Sequence, residues 1–255
     1  MKLALGILSV ALLCSGAAVA PADPAVCTCQ KIKLSRSHRV NVWSTSGHPH
    51  AILYKAGLAI DADGAFRAYH PDDQPGLDSL SHAGHPGNWW ALVTDNNKKT
   101  GRPIVQGADD PAPGFYVSTT ALYDPGNPNV RDPHRYVDAE AIPYIVLHPR
   151  ALKFAHLGDF AIVVNLQNGK TSPAIVADQS AARFPIGEAS IALAKALDIN
   201  SDPRLGGQNR NVAYVIYPNS GNGKPRPRPE ITASANRLFE AWGGLARLKL
   251  CLPNE

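Results

Sequence analysis

FAIVVNLQNGKTSPAIVAD, residues 160–178, contains two apolar runs on either side of Asn168-Gly169. Valine, isoleucine and phenylalanine favour strands, and Asn-Gly is the preferred dipeptide of a two-residue type I′ hairpin turn. The stretch therefore predicts an antiparallel β-hairpin. Its second strand ends at Asp178, which would place a carboxylate at the edge of a sheet.

A short helix is predicted directly after this hairpin. Ile186, Ala189, Leu193 and Leu197 have the spacing of one helix face. Glu188 would then lie in the first turn, where the helix dipole favours an ionised carboxylate. A strand end and a helix start are both rigid supports, as a catalytic pair of acids requires.

The composition agrees with a mainly β protein. Glycine and proline number 21 and 22 of the 255 residues, a share that is typical of short strands joined by turns and unfavourable for a helical bundle. Another strand is predicted at 212–217. An amphipathic helix from Ile231 to Leu245 is predicted to close the chain, because its apolar residues fall on one face.

The motif Asp61-Ala62-Asp63-Gly64 lies between two short apolar runs, 57–60 and 65–69. Asp-Gly between such runs predicts a second hairpin. A calcium-binding loop is the weaker alternative, because an EF-hand loop needs glycine at its sixth position and Phe66 stands there.

The amino terminus has the three parts of a secretory signal peptide: a basic start, the apolar run Leu3–Leu13, and small residues through Ala20. The protein is therefore expected to be secreted and, once the signal is removed, not bound to a membrane. A lipoprotein acylated at Cys14 is the alternative. The predicted organisation is a signal peptide, an irregular tether and a single catalytic domain, at 1–22, 23–40 and 41–255.

The remaining cysteines of the exported chain are Cys27, Cys29 and Cys251. In an oxidising compartment one member of the first pair is expected to form a disulfide with Cys251, and which one is left open. Cys-Thr-Cys without further ligands at suitable spacing is a poor zinc site. We therefore expect neither a metal nor another cofactor.

The charge is unevenly distributed along the chain. The formal net charge is +4, and the basic excess lies in the segment 224–249 rather than over a binding face. A nucleic-acid-binding protein would spread its lysines and arginines over such a face, so nucleic acid is not expected as a partner. Residues 105–140 instead hold six carboxylates against two arginines.

Asp178 and Glu188 are the candidate catalytic residues. A partly buried carboxyl group can keep its proton and act as a general acid, while an ionised one can act as a general base. The opposing interpretation is that Asp178 caps a turn and Glu188 is an ordinary first-turn residue. The sequence has no Gly-x-Ser-x-Gly, His-Glu-x-x-His or dinucleotide-binding motif.

Four stretches in order resemble the secreted chitosanases of glycoside hydrolase family 75: Tyr136–Leu147, Gly158–Ala161, Ala177-Asp178 and Ile186–Ala194. The succession of strand, aspartate, loop and helix is also similar to the double-psi β-barrel of lytic transglycosylase-like and expansin-like proteins. These resemblances imply a mainly β fold, namely a closed six-stranded, double-psi-like barrel with a few peripheral helices.

The resemblance implies an endo-acting hydrolase that cleaves the β-1,4 bonds of chitosan with inversion. Asp178 and Glu188 match the catalytic carboxylates, and we first assign Asp178 as acid and Glu188 as base. Because chitosan is a polycation, the candidate substrate-binding residues are acids and sugar-stacking aromatics: Asp138, Glu140, Trp89, Trp90, Tyr116 and Tyr123. A monomer is expected. The alternatives are an enzyme on another β-1,4 glycan, such as peptidoglycan or chitin, and a non-catalytic carbohydrate-binding barrel.

Overall fold

The computed structural model describes residues 31–37, 40–149, 151 and 153–252. The helices in this part of the chain are α1 (Leu80–Ala83), α2 (Ile191–Ala196), α3 (Arg228–Trp242) and α4 (Gly244–Cys251). The strands there are β1 (Lys31–Ser37), β2 (Val40–Thr45), β3 (Ala51–Asp61), β4 (Gly84–His85), β5 (Asn88–Trp89), β6 (Tyr144–Leu147), β7 (Phe160–Asn165), β8 (Thr171–Gln179), β9 (Glu188–Ser190) and β10 (Gln208–Ile216). None of these helices has the length and apolarity needed to span a bilayer.

Six strands close into a barrel in the ring order β3, β10, β7, β8, β6, β9 and back to β3. The β3–β9 and β6–β8 pairs are parallel, and the other pairs of the ring are antiparallel. Strands β1 and β2 extend the sheet from one edge of β3. The prediction of a mainly β protein with a closed six-stranded barrel and few helices is therefore confirmed.

Strands β6 and β7 are almost entirely apolar because both of their faces are covered. Every residue of β6 and of β7 is buried, and α3 packs against the outside of β7 and β8. Strands buried on both faces have continuous apolar sequences, while strands with one wet face alternate. This explains the unbroken runs that first indicated the hairpin.

Strands β7 and β8 form the predicted hairpin, and only its turn differs. The pairing ends where the Asn165 N–H group donates to the Lys170 carbonyl at 2.9 Å. The connection is therefore longer than a two-residue type I′ turn. Gly169 lies at its end in the left-handed region, with φ of +77°, a conformation that glycine adopts without strain.

The helix after the hairpin begins later than the apolar spacing predicted. Residues Glu188–Ser190 form β9, which pairs with β3 on one edge and β6 on the other. Backbone hydrogen bonds along both edges override the helical spacing of Ile186 and Ala189. Glu188 is therefore a strand residue, and the expected stabilisation by a helix dipole does not apply, because that effect is confined to the first turn.

Ser190 fixes the junction between β9 and α2. Its hydroxyl oxygen accepts the Leu193 N–H, which caps α2, and the Tyr144 N–H, at 3.1 and 2.9 Å. The hydroxyl donates to the Ile142 carbonyl at 2.9 Å. Since Ser190 is fully buried, this one side chain ties β9, α2 and β6 together and holds the neighbouring Glu188 in place.

The closing helix predicted from Ile231 to Leu245 is broken into α3 and α4 at Gly243. This glycine has a φ of +113°, which ends α3 in a left-handed cap. The predicted apolar face of α3 is buried at Trp242, whose indole N–H donates to Thr45 Oγ1 at 3.1 Å. Leu245 follows the break and is exposed.

Several predictions about the amino terminus lie outside the described residues: the signal peptide 1–22, Cys14, Cys27 and Cys29. The disulfide to Cys251 therefore stays a prediction. The tether predicted at 23–40 is corrected in one part, because residues 31–37 form β1 and pair antiparallel with β2.

Candidate active site

Asp178 and Glu188 lie on the two strands that flank β6. Val146 of β6 is the register partner of Asp178 on one side and of Glu188 on the other. Neighbouring strands lie about 4.8 Å apart, so the two Cα atoms are separated by about 9–10 Å. The structure thus brings the two predicted acids to the same level of the barrel, with one strand between them.

A β-bulge lies next to Asp178. The register of β8 against β6 shifts by one residue between Val176 and Asp178, so Ala177 is the extra residue. A bulge bends its strand and redirects the following side chain, and such bulges are common beside active sites. The direction of the Asp178 side chain is therefore set by this irregularity in β8.

The Asp178 carboxylate is 8% exposed. Its Oδ1 atom accepts the Ala121 N–H at 3.0 Å and the Gln179 N–H at 2.7 Å. Burial, followed by the charge of Asp61, raises the pKa of Asp178 well above its ordinary value, while the two N–H donors act in the opposite direction. Asp178 is thus held rigidly and keeps donors that favour its ionised form.

Glu188 is partly buried. Burial and then the charges of Asp61, Asp178 and Asp78 raise the pKa of Glu188 well above its ordinary value. None of these causes favours the charged form. Glu188 therefore lacks the N–H donors that favour the ionised form of Asp178.

Two further carboxylates, Asp61 and Asp63, belong to this site and were not predicted. Carboxylate oxygens of Asp61, Asp63 and Asp178 lie within 4.8 Å of one another. Asp61 ends β3, which is three strands away from β8 around the ring, so the contact reaches across the end of the barrel. Asp61, Asp63, Asp178 and Glu188 are called the acidic cluster below.

The motif at 61–64 forms a tight turn, and the hairpin predicted around it is wrong. The Asp63 N–H donates to Asp61 Oδ1 at 2.8 Å. After the turn, residues 65–69 continue in further turns rather than in a strand. Gly64 is required, because its φ is +80° and a Cβ atom there would clash with the Val137 carbonyl oxygen. The chain therefore bends inward and carries both aspartates with it.

Two buried tyrosines fix Asp63. The Tyr69 hydroxyl donates to Asp63 Oδ1 at 2.6 Å, and the Tyr144 hydroxyl donates to the Asp63 carbonyl at 2.8 Å. Burial and the nearby aspartates raise the pKa of both phenols, so they stay protonated and act as donors. The turn is thereby locked to the barrel wall.

Asp61, Asp63 and Asp178 of the acidic cluster could hold a metal ion, because one carboxylate oxygen of each lies within 4.8 Å of the others. Calcium takes about six to eight oxygen ligands, so backbone carbonyls or waters would have to supply the rest. One oxygen each of Asp61 and Asp63 already accepts a hydrogen bond from within the protein. The expectation that no metal takes part stays a prediction.

Asp138 and Glu140, predicted to bind ammonium groups, lie on the segment before β6. Asp138 Oδ1 accepts the Glu140 N–H at 2.8 Å, and burial raises the pKa of Asp138. Glu140 lines a cavity of about 540 Å³ together with Lys195 and Arg204. The acidic cluster does not line this cavity. The cavity therefore does not join Asp138 and Glu140 to the catalytic pair.

Three of the four predicted sugar-stacking aromatics pack in or against the hydrophobic core. Trp89 is only 7% exposed and packs in the hydrophobic core, and its role as a stacking platform stays a prediction. Its partner in the sequence motif, Trp90, is partly buried. Tyr116 is also partly buried and packs against the core.

The more accessible aromatics carry arginines on their rings. Tyr123 is 43% exposed, and the Arg135 guanidinium lies 4.1 Å from its ring centroid. Trp90 has the Arg183 guanidinium 5.4 Å from its centroid. Arg183 belongs to the loop between β8 and β9, so Trp90 contacts the loop that joins the two strands of the catalytic pair. Stacking of either ring on sugar stays a prediction.

Two acids held one strand apart on a closed barrel fit the carboxylate pair that most glycoside hydrolases use. One family model, described as fungal chitosanase of glycosyl hydrolase group 75, matches residues 109–242, more than half of the chain. The chain belongs to that family and is a chitosanase-type glycoside hydrolase, whose substrate is a polysaccharide. No curated protein matches the chain.

Proposed function

We propose that this protein is a secreted endo-chitosanase that hydrolyses β-1,4 linkages of chitosan with inversion, through Asp178 and Glu188. The observation that carries the proposal is their common register partner, Val146. Inverting enzymes hold their carboxyl groups about 6.5–9.5 Å apart, and retaining enzymes about 5–5.5 Å apart. A Cα separation of about 9–10 Å allows the two carboxyl groups to take the inverting separation, which leaves room for a water molecule.

Glu188 acts as the general acid in this mechanism. Its carboxyl group is desolvated and lies near the charges of Asp61, Asp178 and Asp78, which favour the protonated form. A protonated carboxyl group donates its proton to the glycosidic oxygen as the bond from that oxygen to C1 breaks. This reverses the assignment made from the sequence, because Glu188 lies on a strand and not at a helix start.

Asp178 acts as the general base. The N–H groups of Ala121 and Gln179 favour its ionised form. The carboxylate takes a proton from a water molecule on the opposite face of the sugar, and the oxygen of that water bonds to C1 with inverted configuration. Each cycle therefore consumes one water and moves one proton onto Asp178 and one off Glu188.

The substrate assignment is supported by charge. Chitosan carries ammonium groups, and the acidic cluster offers it four carboxyl groups in one place. Residues 105–140 add six carboxylates against two arginines. Glucosamine ammonium groups would form ion pairs with these acids. A neutral glycan such as cellulose has no ammonium groups to pair with these acids.

Secretion is part of the proposal and is supported by the amino-terminal sequence. The basic start, the apolar run Leu3–Leu13 and the small residues that follow are typical of an export signal. A polymeric substrate cannot enter a cell, so an enzyme that cleaves it internally has to act outside. Amino-terminal sequencing of the protein recovered from culture medium tests this directly.

The activity is tested by incubating the purified protein with chitosan and following reducing ends, product masses and the anomeric proton signals of fresh products. We expect oligosaccharides of intermediate length and initial α-anomers. Asp178→Asn and Glu188→Gln should abolish the reaction, while Asp198→Asn, at an exposed site outside residues 105–140, serves as the matched control. Parallel reactions with chitin, peptidoglycan and cellulose test the other glycans.

Unchanged activity in both variants would refute the assignment of the catalytic pair. Initial β-anomers would refute inversion. Shortening of peptidoglycan or chitin in preference to chitosan would move the substrate to another β-1,4 glycan. Polymer binding without any product would leave a carbohydrate-binding barrel.

A further inference from the structure

Asp61 lies at the centre of the acidic cluster, although it is outside the region that matches the family model. One of its carboxylate oxygens lies within 4.8 Å of those of Asp63 and Asp178. In the parallel β3–β9 pair, Glu188 is opposite Ala59, two residues before Asp61 and on the same face. The Cα atoms of Asp61 and Glu188 are therefore about 8 Å apart. Asp61 thus adjoins both catalytic acids.

The position of Asp61 is built into the fold. Its side chain is 6% exposed and Oδ1 accepts the Asp63 N–H. The turn that supplies this N–H is locked by the hydroxyls of Tyr69 and Tyr144. An amide oxygen at position 61 would satisfy the same donor. The hydrogen bond therefore does not require a charge at this position, and the buried charge needs a separate explanation.

Asp61 is a buried carboxyl group, and burial raises its pKa to about 6. Burial also raises the pKa values of Asp63, Asp178 and Glu188 well above their ordinary values. For each of these three groups, Asp61 is the largest electrostatic cause after burial itself. A negative charge on Asp61 disfavours ionisation of these nearby carboxyl groups and so favours their protonated forms.

Among the described residues around Asp61, none is a cation that would neutralise its charge. Asp78, which also faces Glu188, has its own partners in His82 and Arg204. The titratable groups that face Asp61 or Glu188 are Asp63 of the turn, Tyr69, Asp78, Tyr144 of β6, Asp178 of β8 and Tyr214 of β10.

We propose that Asp61 is a positioning residue of the reaction, whose negative charge holds the catalytic proton on Glu188. The proposal rests on the function given above, in which Glu188 is the general acid. It extends the active site beyond the matched family region and gives the acidic motif of the amino-terminal part a role that neither a turn nor a calcium loop supplied.

The test compares the pH dependence of chitosan hydrolysis in wild type and Asp61→Asn. The amide keeps the acceptor for the Asp63 N–H and removes only the charge. We expect the alkaline limb of kcat/KM to move down by about one pH unit, which is about a tenfold loss on that limb, with little change at the acidic optimum. Asp63→Asn, in the same turn, is the matched control and should shift the limb less.

A second measurement does not depend on activity. Carbon-13 NMR of the side-chain carboxyl groups follows the titration of Glu188, with Glu188→Gln used to assign its signal. Glu188 should titrate well above its ordinary value in wild type and about one unit lower in Asp61→Asn. If Asp61→Asn does not fold, Asp61→Ser, which also keeps an acceptor, replaces it.

The outcomes separate the two proposals. A shifted Glu188 titration in a protein that does not cleave chitosan would support Asp61 and refute the proposed function. If the protein cleaves chitosan, but Asp61→Asn shifts neither the alkaline limb of kcat/KM nor the titration of Glu188, the role of Asp61 would be overturned. Titration of Glu188 at its ordinary value in wild type, or an equal shift in Asp63→Asn, would overturn it as well.

Discussion

Two aspartates at the same end of the β7–β8 hairpin differ in what surrounds them. Asp159 precedes β7, Asp178 lies near the end of β8, and their side chains are 2% and 8% exposed. The Asp159 carboxylate accepts three backbone N–H groups, from His156, Ser220 and Gly221. Its charge is used to hold two loops together.

The Asp178 carboxylate accepts two N–H groups on one oxygen and shares its surroundings with other acids. Burial is common to both aspartates, so burial does not distinguish a structural carboxylate from a catalytic one. The difference lies in the neighbours, because donors stabilise a charge in place and neighbouring acids leave a proton available for transfer. Substitutions at the two sites should therefore have opposite consequences.

The largest difference is expected in catalysis. Asp178→Asn and Glu188→Gln should each lower kcat on chitosan on the order of 10³-fold, since each removes a proton-transfer group. Asp159→Asn should keep a kcat close to that of wild type, because the Asp159 side chain bonds backbone groups of the adjoining loops. Initial rates at saturating substrate, on samples checked for folding by circular dichroism, measure this. A large loss of kcat in folded Asp159→Asn would contradict the comparison.

The next difference is in stability. Asp159→Ala should lower the free energy of unfolding by about 3–4 kcal/mol, because it leaves buried N–H groups without an acceptor. Asp159→Asn, which keeps one acceptor oxygen, should cost less. Urea denaturation of both variants at fixed pH measures the effect. A loss below about 1 kcal/mol in Asp159→Ala would show that the loops at Ser220 and Gly221 are held by other contacts.

A third difference concerns pH. Burial raises the pKa of Asp61 from 3.8 to about 6, so the folded state binds this proton more tightly than the unfolded state. The contribution is fully present below about pH 4 and is lost as the pH rises through about 6, for a total of about 3 kcal/mol. Wild type should therefore lose stability over this range.

The control for this effect is Asp61→Asn, which has no such proton to lose. The gap between its free energy of unfolding and that of wild type should grow from pH 4 to pH 7 in favour of the variant. Urea titrations at several pH values measure the gap. A gap that stays constant with pH would contradict the raised pKa of Asp61.

The sequence located half of the acidic cluster. Apolar runs identified the hairpin that carries Asp178, and the family-like motifs identified Glu188. The strand position of Glu188 was not predictable from spacing, because β9 is fixed by pairing with β3 and β6, which are distant in sequence. Local periodicity carries no information about those partners.

Asp61 shows the same limit more clearly. An aspartate directly follows an apolar run twice, at Ile60-Asp61 and at Ala177-Asp178. That repeated pattern was the sequence signal that could have identified Asp61 as a site residue. It did not show that β3 and β8 meet across the end of one barrel, since two strands separate them on either side of the ring. Only closure of the sheet makes the two aspartates neighbours.

The smallest difference concerns the sign of a stability change. Glu188→Gln should raise the free energy of unfolding at neutral pH by about 1 kcal/mol, because it removes a buried acid whose neighbours are also acids. Asp159→Asn should lower it, because donors there lose part of their acceptor. Urea denaturation of both variants at pH 7 tests the pair. A loss of stability in Glu188→Gln would mean that Glu188 makes a stabilising contact, and its role as a carboxyl group kept protonated for catalysis would be contradicted.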